Sequence, residues 1–75
     1  MPGPLTPRQE RLLVLFKVAI AHEREAQTMY AEMAAHCDDA ELAEVIASLR
    51  ASEQTHEETL LDQYAALKRT SGFKE

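Results

Sequence analysis

Phe16-Lys17-Val18-Ala19-Ile20-Ala21-His22-Glu23-Arg24-Glu25-Ala26-Gln27-Thr28-Met29-Tyr30 carries an acid where its own repeat calls for an apolar residue. Phe16, Glu23, Tyr30 and Cys37 recur every seven residues, and Leu12, Ala19, Ala26 and Met33 form a second such series, the pattern of a long helix with an inward stripe. Glu23 falls in the middle of that stripe. A second segment repeats the anomaly. Leu42, Leu49, His56 and Gln63 form one heptad series and Ile46, Glu53, Leu60 and Leu67 the other, which assigns Glu53 and His56 to core positions as well.

The boundaries of both helices are written in local chemistry. At Thr6-Pro7-Arg8-Gln9, Thr6 is a capping residue, Pro7 suits the first helical position and Gln9 completes a capping box. Helix 1 is expected over about residues 7–36. Asp38 and Glu41 stand at capping-box spacing before the next periodic run, and Lys68 and Arg69 favour a helix C-terminus with Gly72 just beyond, so helix 2 is expected over about 39–69. A connection of a few residues folds the two back as an antiparallel hairpin. Pro2-Gly3-Pro4 and the stretch from Ser71 to Glu75 read as short flexible ends.

Composition fits an all-α chain that needs a partner. Its 75 residues allow one domain, 45% are apolar, and only two Phe and two Tyr accompany the aliphatic side chains. A chain this short buries a small fraction of its surface, and two helices alone leave a long apolar face open, so the expected unit is a homodimer, or a higher homo-oligomer built from dimers, closed as a four-helix bundle. Thirteen acidic against eight basic residues, a formal charge of −5, argue against nucleic acid or an anionic membrane as partner. A single cysteine, Cys37, excludes an intrachain disulfide and an all-thiolate metal site. No secretory leader or membrane-length apolar run is evident, and the reading is a soluble cytoplasmic protein.

Two carboxylates and an imidazole in an apolar seam are costly unless a cation is buried with them. Glu53 and His56, three apart, share a helix face, and Glu23 lies about as far from the turn as Glu53 does, so all three are expected at one level. One hairpin then offers two carboxylates and one imidazole. A twofold pair offers four carboxylates and two imidazoles, the donor set of carboxylate-bridged di-iron bundles, whose charge balances two divalent ions. Oxygen and imidazole donors suit iron or manganese; zinc would bind without redox chemistry. Tyr30 reads either as packing or as a hydrogen-bond donor beside the site. His22, Glu25 and Glu57 flank this set and read as solvated or interface-edge residues, with a cation entry path as their functional alternative.

The stretch from Ala21 to Tyr30, then Ala40-Glu41-Leu42, then Arg50-Ala51-Ser52-Glu53-Gln54-Thr55-His56 resembles the ferritin-like superfamily, and encapsulated ferritins in particular. Rubrerythrins share the pattern but carry it twice per chain. The resemblance covers roughly residues 12–68. It implies a half-ferritin that dimerises into a four-helix bundle, with Glu23, Glu53 and His56 holding a di-iron centre between two subunits. It further implies Fe(II) oxidation by dioxygen or peroxide, iron storage or detoxification as the purpose, an encapsulin shell as partner and its nanocompartment as location. Glu25 matches an acidic family position that brings iron to the site, whereas His22 stands where an acid is usual. The chain departs from the family in lacking a recognisable encapsulin-targeting peptide after Arg69 and the additional short helix, and it has no four-cysteine rubredoxin module. Two alternatives remain open: a rubrerythrin-like protein that reduces peroxide, and a non-catalytic structural four-helix oligomer in which the same residues form a polar layer.

Overall fold

The computed structural model of the chain describes residues 5–71, and within them two helices: α1, Pro7–Ala35, and α2, Ala40–Ser71. The readings of Pro2-Gly3-Pro4, of Gly72 and of the remainder of the C-terminal tail fall outside the described residues; Ser71 is the last residue of α2. Thr6 caps α1 as its sequence requires. The Gln9 amide N–H donates to Thr6 Oγ1 at 3.1 Å while Thr6 N–H donates to Gln9 Oε1 at 2.9 Å, closing the box and leaving Pro7 where a missing N–H costs nothing.

At the other turn the cap is Asp39, one residue later than Asp38. Leu42 N–H donates to Asp39 Oδ1 at 3.0 Å, and Asp39's carbonyl accepts the first helical bond from Ala43 at 2.9 Å. Two adjacent acids offer equivalent caps, and the path of the chain out of α1 selects the second. The thiol of Cys37 donates to the Asp39 carbonyl at 3.3 Å inside the same turn.

The helices run antiparallel. Phe16 packs near Tyr64 with ring centroids 6.3 Å apart, and Arg24 and Gln27 both reach Glu57 farther toward the turn. The packed seam differs from the heptads read above. Leu13, Ile20, Ile46 and Tyr64 are its buried residues, with Phe16, Leu60 and Leu67 packed alongside. Leu12, Met33, Leu42 and Leu49, expected to point inward, are exposed. Of the buried residues only Ile46 belongs to a heptad series read above; Leu13, Ile20 and Tyr64 belong to none, and Phe16, Leu60 and Leu67 pack at their side. Two helices have room for only a narrow stripe between them, and that stripe runs one position away from the one expected.

No described side chain is completely enclosed in this body of 56 × 17 × 15 Å. Helix periodicity puts Leu12, Leu15, Leu42, Val45 and Leu49 on one broad side of the hairpin, where they leave apolar surface in water; Val14, Val18, Met29 and Leu61 are exposed elsewhere. A shallow groove between Leu12 and Gln63 opens on the broad apolar side. Lys17, Arg24 and Leu61 line a groove on the opposite side. Neither helix is long and apolar enough to cross a membrane.

Candidate metal centre

Glu23, near the middle of α1, and Glu53, near the middle of α2, face each other across the seam, and His56 stands one turn beyond Glu53. Equal distance from the turn brings the two acids level; three-residue spacing brings the imidazole to the same height. Each of the three offers one ligand atom, and these atoms all lie within 4.8 Å of one another. His56 Nδ1 is 3.6 Å from Glu23 Oε2 and 3.8 Å from Glu53 Oε1.

The two carboxylates are about 21% exposed while His56 is 59% exposed, so the imidazole is at the rim and not at a core position. The geometry of a helix explains this. The three-residue step that brings His56 beside Glu53 also swings it away from the seam, toward the apolar side that carries Leu49.

Electrostatically the cluster is unresolved. Glu23 Oε2 is buried and has no hydrogen-bond partner. A hydrogen bond with Glu53 lifts the Glu23 carboxyl above its ordinary value of 4.5, with desolvation and repulsion from Glu53 adding to the rise and His56 opposing it. Two facing acids, one with a buried oxygen that lacks a hydrogen-bond partner, form an arrangement that a cation would complete. Oxygen, oxygen and nitrogen donors at this spacing fit iron or manganese, and equally zinc. Four carboxylates and two imidazoles would meet only if a second hairpin covered the rim.

Tyr30 is half-buried and lies two helical turns from Glu23, a rise of about 10 Å, so within one hairpin it stands apart from the three donors. It forms no hydrogen bond through its hydroxyl among the described residues. His22 and Glu25 are exposed; Glu25 borders the groove shared with Lys17 and Arg24, on the side away from His56.

A second polar group nearby joins Glu57, expected to be solvated or at an interface edge, to Arg24 and Gln27. Glu57 is only 18% exposed. Arg24 Nε donates to its Oε2 at 2.7 Å and Gln27 Nε2 donates to its Oε1 at 2.6 Å, so both carboxylate oxygens are taken. These bonds, the one from Arg24 foremost, hold its pKa below the ordinary value. The signal was available in spacing: Glu57 is four residues after Glu53 and three before Leu60, which is seam spacing, and Gln27 is four after Glu23.

Comparison of the chain with models of known protein families, with characterised proteins and with solved structures found no match.

Proposed function

We propose that the chain is an iron-binding ferroxidase whose di-iron site forms between two hairpins, each supplying Glu23, Glu53 and His56. The observation that carries this reading is the buried, unpartnered Glu23 Oε2 beside a second acid and an exposed imidazole. An oxygen left without a donor in a seam costs free energy that a divalent ion returns. The apolar side around Leu12, Leu42 and Leu49 supports a second copy as the cover, since the rim of the site opens toward it.

In this reading the entering ion favours the ionised form of Glu23, whose pKa is raised in its absence, and the four carboxylates of a pair would balance two Fe(II). His56, held near Glu53 by helix geometry, directs Nδ1 toward the carboxylates and closes the donor set from the rim. Bound Fe(II) is the substrate and supplies one electron per ion to dioxygen or peroxide. Leu49 and its neighbours, once covered, would keep bulk water from the site. By the resemblance noted above, the purpose is iron storage or detoxification, with an encapsulin shell as the proposed partner.

The test is stopped-flow Fe(II) oxidation under dioxygen and under peroxide, with metal counting on the same samples. The ferroxidase reading expects saturable oxidation at two ions per pair of chains, lost in Glu53→Ala and His56→Ala. Faster oxidation by peroxide than by dioxygen would favour the rubrerythrin-like alternative. The hydrogen bond between Glu23 and Glu53 gives the structural alternative its own support, because acids that bond to each other can form a polar layer without a metal. Protein that takes up no iron and oxidises none would establish that alternative.

A further inference from the structure

We infer that Glu57 is a positioning residue: by gripping Arg24 and Gln27 it sets the axial register that presents Glu23 to Glu53 and His56, and it is itself kept out of the donor set. This rests on the metal-binding reading above and adds to it the part of the chain that makes the site possible.

An aliphatic seam gives little direction along the helix axis. The short turn sets the coarse level of Glu23 and Glu53, but Leu13, Ile20 and Leu60 contact their neighbours without directional bonds, so small axial shifts exchange like contacts. A shift of one residue moves a side chain by about 1.5 Å, enough to disturb donor atoms that lie within 4.8 Å of one another. Glu57 supplies the missing direction. Its two oxygens accept from two donors on the facing helix, at 2.7 and 2.6 Å, and a fork of this kind is satisfied at one register only. Arg24 is the residue directly after Glu23, and Gln27 is one turn beyond it. The fork thus holds the piece of α1 that carries the ligand.

Charge gives the second half of the inference. A third ionised acid per hairpin at this level would bring the carboxylates of a pair to six against two divalent ions. Arg24 compensates Glu57, and the two bonds occupy the oxygens that would otherwise compete for the ion. The same residue type therefore serves as ligand at 53 and as fastening at 57, four residues apart. As an ion pair the contact adds little stability, since Arg24 is 61% exposed. Its contribution is to specificity of alignment.

The experiment compares the full-length chain with Glu57→Leu and Gln27→Leu, which keep side-chain volume in the seam. Two readouts are taken. The first is the distance between spin labels at Glu10→Cys and Asp62→Cys, both exposed, in a Cys37→Ser background without metal and diluted into unlabelled chain. The second is Co(II) affinity with its visible spectrum. Both variants are expected to remain helical, to broaden or shift the distance distribution, and to bind Co(II) about ten- to a hundredfold more weakly, the range for losing a group that orients a ligand. Glu57→Gln, which retains an acceptor, should recover part of the affinity, and adding Arg24→Leu to Glu57→Leu should cost nothing more. Unchanged distances in both Leu variants overturn the inference, whatever Co(II) affinity does. Should the unmutated chain bind no Co(II), the metal reading fails on its own, and the metal-free distances still decide the register: broadening supports it and identity refutes it.

Discussion

Glu23 and Glu57 stand on facing helices at the same level of the hairpin, with side chains exposed to nearly the same degree, 21% and 18%. Their carboxyl groups are nevertheless shifted in opposite directions. Glu57 has a donor for each oxygen, which favours its ionised form; Glu23 has an oxygen with none, and its hydrogen bond with Glu53 and its desolvation push it toward its neutral form. Burial does not separate them. The supply of hydrogen-bond donors does, and it divides the acids of this seam into one committed to the fold and two that remain available to a ligand.

The strongest way to break this contrast is to remove the available donors. If the proposed site is correct, Glu23→Ala, Glu53→Ala and His56→Ala should each lower iron oxidation by more than about a hundredfold in stopped-flow assays, since each would remove two donors from the proposed twofold site, beyond the ten- to a hundredfold range for groups that merely orient ligands. Oxidation at the unmutated rate in Glu53→Ala and His56→Ala would mean that the acids of the two groups are alike. The next largest effect concerns the cover. Leu49→Asp, on the exposed apolar side two turns before His56, should shift sedimentation from dimer toward monomer and weaken iron binding with every donor intact. Persistence of both would make the site complete within one hairpin.

A pH series on metal-free protein sharpens the contrast further. Glu23, whose pKa is raised by folding, contributes stability below its unfolded value of 4.5 and loses it as pH rises through the raised pKa. Glu57, whose pKa is lowered, contributes stability above 4.5 and loses it as pH falls through the depressed pKa. Thermal melts should therefore find these two acids jointly most favourable in a window around 4.5. Glu23→Gln should flatten the high-pH flank and Glu57→Gln the low-pH flank, each by a few degrees at most. With iron present the high-pH flank should reverse, because protons and metal compete for Glu23. The smallest effects belong to residues outside both groups: Tyr30→Phe should change iron occupancy by less than about twofold while altering turnover, and Glu25→Ala should slow loading without changing the bound stoichiometry.

How much of this was legible in sequence varied with the range of the interaction. The capping box at Thr6 is local, so its four residues suffice. Glu23, Glu53 and His56 stood out because polar groups in a hydrophobic repeat are conspicuous and because equal spacing from a short turn places them level. The seam itself was misread in part. Leu12, Leu13, Val14 and Leu15 are consecutive and apolar, and periodicity over such a run does not single out the face that will be buried. Arg24 and Gln27 carry no signal of their own, and Glu57 reads as solvated, for the opposite reason: charged and amide side chains on a helix usually face water. What covers Leu42 and Leu49 is a property of the assembly, which one chain's sequence constrains only through the surface left unpaired.

The tightest packing in the hairpin, Leu13 and Ile20 against Tyr64 with Leu5, Phe16, Leu60 and Leu67 around it, lies at the open end, and Lys68 closes over the Tyr64 ring at 4.7 Å from its centroid. Near the turn only Ile46 is buried. Contacts that close short loops are thus the weaker ones, while those that hold the helices together enclose nearly the whole chain, and each doubling of loop length adds about 0.6 kcal/mol to the closure cost. A hairpin usually frays from its free ends; this one is clasped there. Its folding must wait for a distant encounter, and its amide protons should exchange first beside the turn, with the middle that carries Glu23 and Glu53 opening next and the helix ends around Leu13 and Tyr64 last.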